Sequence, residues 1–217
     1  MLEYISGTDR YDRKGQDMLI KIKDHDAFRC ATNIALGADD YQRVFHYVRL
    51  SPEGAVTGTD NRMLAHNPRG CEPFEGEGDV FVRPAKAIPL NARDIEIDTE
   101  AKLIRYVAGR KGAPGVIPCE VTTEGIFPDV ERVIPSHYEP TDGTPLALNW
   151  KLLERLTKGL DLSSEDKFQV RLERSGSHTP VLIYVPSNPD LTLLLMPLWI
   201  EDAEPRLTPR PVSEKAA

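Results

Sequence analysis

The first clear periodicity in the chain lies at Asp24–Gly37, where Phe28, Ala31, Ile34 and Ala35 recur at helical spacing between Asp24, a suitable N-cap, and Gly37, a stop. Alternating stretches follow, and these predict strands at Val44–Leu50, Ala55–Thr59 and Asp79–Arg83, with Pro52-Glu53-Gly54 turning the chain between the first two. A shorter helix is predicted from Pro84, a good first-turn residue, through Lys86 and Ile88 until Pro89 disturbs it. Strands resume at Asp94–Ile97, Lys102–Val107 and Gly115–Thr122. The strongest helix pattern is Asn149–Leu160, with Asn149 as N-cap and Leu152, Leu153, Leu156 and Leu160 as its apolar stripe. Strands at Lys167–Glu173, Pro180–Val185 and Leu191–Ile200 come after it, separated by Ser-Gly-Ser and Asn-Pro-Asp turns. A helix followed by about three strands is thus stated three times, at a period of about sixty residues.

Composition changes this picture little. The chain has 217 residues, 40% of them hydrophobic, enough for a proper core without staples. Its net charge of -7 excludes a uniformly basic nucleic-acid coat but permits a local basic face. Cys30, Cys71 and Cys119 are odd in number, far apart and in no metal-ligand spacing, so they read as reduced thiols. No apolar run is long enough to cross a bilayer, and Met1–Lys23 lacks the order of a signal peptide, so a cytoplasmic protein is expected, with no membrane partner. Glu201–Ala217, rich in Pro and charge, reads as a flexible tail.

The chemistry of an enzyme is hard to find. The five histidines show no metal spacing, and the chain has no nucleophile elbow, phosphate loop or dinucleotide fingerprint. No catalytic residue, metal or cofactor is assigned. The better lead is cationic: Lys151, Arg155 and Lys158 share one helical stripe away from the leucines, and Arg29 forms a thinner polar stripe with His25 and Asn33. On a shared concave surface these cations would release counterions from phosphates without reading bases.

Several short strings then carry a resemblance. Val56-Thr57-Gly58-Thr59-Asp60-Asn61-Arg62-Met63-Leu64-Ala65 resembles the A-T-D-G-H-R-L-A segment of the bacterial sliding clamp, the DNA polymerase III beta subunit. Phe127-Pro128-Asp129-Val130-Glu131-Arg132-Val133-Ile134-Pro135 is similar to that family's F-P-D-Y-R-R-V-I-P, and Leu148-Asn149-Trp150-Lys151-Leu152-Leu153 to its F-N-x-x-Y-L. Pro180-Val181-Leu182-Ile183 resembles P-V-x-I, and Leu195-Met196-Pro197-Leu198 resembles the M-P-M near the family's C-terminus. The strings occur in the family's order, and with the helix-then-strands pattern between them the resemblance covers about Leu19 to Ile200. One departure stands out: Asn61-Arg62-Met63 replaces the usual Gly-His-Arg.

The resemblance implies an α+β fold of the DNA-clamp kind, repeated helix-plus-antiparallel-strand units with helices lining a central hole. It divides the chain into an N-terminal segment and first strand (1–23), a complete clamp domain of two half-domains (24–136), a linker (137–147), a further half-domain (148–200) and a tail (201–217). This is the middle domain and half of the last, so self-association is expected to cover the unpaired half, with a tetrameric ring favoured by counting half-domains. It implies a processivity factor, not an enzyme: a homo-oligomeric ring that encircles duplex DNA without sequence preference and tethers a DNA polymerase, opened by a separate clamp loader. Arg29, Lys151, Arg155 and Lys158 would face the DNA. A hydrophobic peptide-binding pocket is carried over to Thr59, Arg62, Leu64, Pro135, Asn149, Leu152, Pro180, Val181, Leu194, Leu195, Met196, Pro197 and Leu198, with Val44 as a looser member. The other reading left open is a clamp-derived module or decoy that captures clamp-binding peptides and never encircles DNA.

Overall fold

The computed structural model describes residues 18–39, 43–109, 112–130, 132–135, 139–140, 147–161, 173–174 and 180–198. The expected tail, the strand at Lys167–Glu173 up to its final residue, and most of the linker lie outside them. Among the described residues the elements run β1 (Leu19–Lys21), α1 (His25–Leu36), a 3-10 turn (Arg43–His46), β2 (Val48–Leu50), β3 (Val56–Thr59) and β4 (Met63–Asn67). Then follow β5 (Val80–Pro84), β6 (Ala92–Asp98), β7 (Leu103–Ala108), β8 (Ala113–Thr122) and β9 (Glu139–Pro140). The last elements are α2 (Trp150–Thr157), β10 (Glu173–Arg174), β11 (Val181–Ile183) and β12 (Thr192–Leu195).

The strands join one antiparallel sheet in the order β1-β6-β7-β8-β5-β2-β3-β4-β12-β11-β10-β9. Its decisive seam is β4 against β12, with Leu64 opposite Leu194 and Ala65 opposite Leu193, because it binds two segments far apart in sequence. Alternation sends these pairs to opposite faces. Ala65, Leu193 and Leu195 point into the main core beneath the helices, while Leu64 and Leu194 form a second cluster with Val130 on the other face.

Both helices start where a side-chain cap is available. Asp24 Oδ1 accepts from Ala27 N at 3.0 Å, and Asn149 Oδ1 accepts from Lys151 N at 3.0 Å. α1 ends at Gly37, whose N–H reaches Ile34 O at 3.1 Å. Asp24 also ties distant parts together, its Oδ2 accepting from Asn67 Nδ2 (2.6 Å) and Asn188 Nδ2 (2.8 Å). Close packing of α1 on β3 depends on Gly58, where a Cβ would lie 2.6 Å from the Ala31 Cα.

Two expected elements are corrected. No helix forms after Pro84: this residue continues β5 opposite Cys119, and Ala85 N donates to Pro118 O at 2.9 Å, so the strand ladder uses the residues that a helix would need. Pro89 then leaves too few residues to offset helix nucleation. Val44 and Phe45 belong to the 3-10 turn, which shortens the expected strand to Val48–Leu50. β4, where the alternation predicts no separate strand, is a full sheet member paired on both sides. The three cysteines are buried as free thiols, and burial pushes Cys71 up to about 12 and Cys119 up to about 11, away from thiolate chemistry.

Candidate peptide groove and helix face

A half-open groove of about 130 Å³ lies across the β4–β12 seam. It is lined by Thr59, Asn61, Arg62, Met63 and Leu64 from β3, β4 and their turn, by Pro128, Val130 and Val133 from the segment after β8, and by Pro180, Leu194 and Met196. The lining is apolar except at the turn.

The turn has a definite local cause. Asp60 Oδ1 accepts from Arg62 N (3.0 Å) and Met63 N (2.9 Å), and Thr59 Oγ1 donates to Met63 O (2.8 Å). Asn61 has φ +67, a left-handed value that Asn tolerates better than other non-glycine residues. Asn61 therefore preserves the turn where the clamp string has Gly, and adds a polar side chain to the rim. Burial raises the Asp60 carboxyl above its ordinary range, against the lowering effect of the two backbone donors.

The opposite wall is held by aromatic packing. Phe127 lies 6.1 Å from Phe81 between ring centroids, and the Arg49 guanidinium stands 5.9 Å over Phe127 while pairing with Asp79 at 2.7 Å. That fixes the start of the 127–135 segment on the sheet, so that Val130 is buried against Leu64 and Leu194. Val133 stays 45% exposed at the rim.

Of the pocket positions expected from sequence, the structure brings together Thr59, Arg62, Leu64, Pro180, Leu194 and Met196. Val44, Pro135, Asn149, Leu152, Val181, Leu195, Pro197 and Leu198 do not line this groove. Asn149 caps α2, Leu152, Val181 and Leu195 are buried, and Leu198 bridges to Ala147. Asn61, Met63, Pro128, Val130 and Val133 were missed; all five lie within the strings already quoted, but only tertiary pairing shows which side chains reach the seam.

The helix face needs a larger correction. Arg29 is 4% exposed and does not face solvent. Its guanidinium donates to the backbone oxygens of Gly159 (2.8 Å), Leu90 (2.8 Å) and Ala92 (3.2 Å) and pairs with Asp26. α2 covers that side of α1, at a spacing permitted by Gly159, where a Cβ would meet Cys30 N at 2.4 Å. Arg155 is only 33% exposed and donates to Gly37 O at 2.6 Å. Lys151 and Lys158 remain exposed, with exposed Glu154 between them in sequence. Among the described residues no group of His, Cys, Asp and Glu could hold a metal, and no helix is long and apolar enough to cross a membrane.

This architecture, a broad antiparallel sheet with helices on one face, is the α+β fold of the DNA polymerase sliding clamps. The chain is similar to DNA polymerase III subunit beta from Borrelia burgdorferi, solved in complex with a natural product, at TM-score 0.55 and 14% identity, with 88% of this chain and 67% of that one covered. It is similar to the beta subunit from DNA polymerase of Streptococcus pyogenes at TM-score 0.52 and 10% identity, covering 88% and 69%. The DNA polymerase sliding clamp from Bacillus subtilis gives TM-score 0.50 and 11% identity, covering 86% and 66%. The chain thus spans about two thirds of the length of these clamps. No protein-family model and no curated protein matches it.

Proposed function

We propose that the chain is a DNA sliding clamp, a non-enzymatic processivity factor whose copies close into a ring around duplex DNA and whose groove tethers a DNA polymerase. The observation that carries this reading is the apolar groove at the β4–β12 seam in a clamp fold. Its volume is well below the roughly 300–1,000 Å³ that encloses a small-molecule ligand, and suits one or two apolar side chains of an extended peptide. The lining alternates an apolar floor, Leu64 and Leu194, with a polar rim at Asn61 and Arg62, an arrangement that anchors a short linear segment and fixes its register. A clamp loader would use the same groove. Sliding needs only weak, salt-screened contacts, and Lys151 on α2 and Lys158 at its C-cap are the exposed cations left for that work.

A second reading is favoured by the same helix face. With Arg29 buried and Arg155 engaged in the fold, the cationic stripe is reduced, as expected for a module that binds clamp-binding peptides without encircling DNA. Light scattering across a concentration series, followed by retention on nicked circular DNA before and after linearisation, separates the two. A ring-compatible oligomer, a tetramer by the half-domain count, that is lost from linearised DNA supports the clamp. A persistent monomer with no retention overturns it in favour of the peptide-binding module.

A further inference from the structure

We infer that Arg155, on the helix face, is a positioning residue for the groove on the other side of the sheet. The inference rests on the peptide-binding reading given above and names a residue that reading does not include. Arg155 Nη1 donates to Gly37 O at 2.6 Å and lies 3.6 Å from Asp60 Oδ2. The other oxygen of the same carboxylate accepts from the backbone N–H groups of Arg62 and Met63. One carboxylate, 8% exposed, is therefore divided between two tasks: Oδ1 shapes the groove turn and Oδ2 meets the cation.

The arrangement is built from both ends. Gly37 leaves room for the guanidinium, since a Cβ there would lie 2.5 Å from Arg155 Cζ, so α1 terminates in a residue that admits this side chain. At the groove end, Met196 N donates to Arg62 O at 2.8 Å, so the turn also sets the start of the opposite rim. Asn61, Arg62, Met63 and Met196 thus all depend on one carboxylate orientation. Removing the Arg155 cation leaves the carboxylate with the weaker pull of Arg62 as its nearby positive charge, which favours rotation of the carboxyl and loosens its hold on the two N–H groups.

The test compares Arg155→Met, Arg155→Lys, Asp60→Asn and the double variant Arg155→Met/Asp60→Asn. Affinity is read by fluorescence anisotropy of a labelled synthetic peptide carrying two apolar anchors, and the Arg62 and Met63 amide resonances by NMR without peptide. Thermal melting confirms folding. Arg155→Met is expected to weaken the peptide about tenfold and shift both amides, Arg155→Lys to recover part of each effect, and the double variant to bind no worse than Asp60→Asn. Unmoved amides in a folded Arg155→Met protein overturn the inference whether or not peptide binds. Unchanged affinity in that variant, while the unsubstituted chain binds, overturns it alone. A peptide that fails to bind the unsubstituted chain counts instead against the peptide-binding reading, and the amide shifts still decide the role of Arg155 in the turn.

Discussion

Arg29 Nε on α1 donates to Gly159 O just beyond α2 at 2.8 Å, and Arg155 on α2 returns the tie to Gly37 O at the end of α1. Each helix thus spends an arginine on the backbone of the other. The two ties explain why the helices form one unit although more than a hundred residues separate them.

Arg29→Met is expected to destabilise the fold by about 3–5 kcal/mol, since it takes the cation from Asp26, which keeps the Asp161 N–H, and removes the buried donor from the carbonyls of Gly159, Leu90 and Ala92. Chemical denaturation would measure this. A loss below about 1 kcal/mol, the value usual for an exposed pair, would mean that the guanidinium is solvated.

Gly159→Ala tests the helix spacing directly. Its Cβ would lie 2.4 Å from Cys30 N and 2.7 Å from Arg29 C, both backbone atoms that cannot swing aside. A cost of about 1–3 kcal/mol is expected from such overpacking, against a few tenths for Gly78→Ala, where nothing lies within 4 Å. Equal melting temperatures for the two variants would show that α2 is not seated on α1 at this distance.

Stability should also fall in mild acid through His66. Burial, assisted by Arg49, depresses its imidazole to about 4, and its Nδ1 sits 2.9 Å from Thr57 Oγ1. The unfolded imidazole binds a proton near 6.5 while the folded one resists it until about 4. Stability is therefore full above about pH 6.5, declines as pH drops towards 4, and loses on the order of 3 kcal/mol across that window. His25, also lowered by burial, adds in the same direction. Denaturant melts between pH 7 and 4.5 check the slope, which should flatten in His66→Leu.

Groove variants should separate binding from folding. Met196 and Val133 are 36% and 45% exposed, so Met196→Glu and Val133→Glu place charge on the rim with little effect on melting. Both are expected to weaken an apolar-anchored peptide at least tenfold, by about 1.4 kcal/mol or more, in an anisotropy titration. Leu194→Ala, at a 2% exposed position, should lose stability as well, by about 2–5 kcal/mol.

The sequence carried more of the fold than of the site. α1 and α2 were legible because Asp24 and Asn149 cap unbroken apolar stripes, local signals that need no tertiary partner. The helix expected after Pro84 failed because β5 and β8 claim those residues across a gap in sequence that periodicity cannot see. The same limit applies to Arg29: one turn from His25 and Asn33 it reads as part of a solvent stripe, and only the approach of Gly159 buries it. In the groove, Leu64 was found through its string and Leu194 through the predicted strand that runs into Leu195-Met196-Pro197-Leu198, but Val130 and Val133 required knowing that Phe127 pins its segment onto Phe81.

The measurement that tests the central claim most directly is a calorimetric titration of the full chain with a synthetic peptide bearing two apolar anchors, alongside Met196→Glu. Saturable one-to-one binding that Met196→Glu weakens at least tenfold is the expected result. A folded chain that gives no binding at millimolar peptide, or binding that Met196→Glu leaves untouched, would contradict the assignment of the β4–β12 groove as the tether.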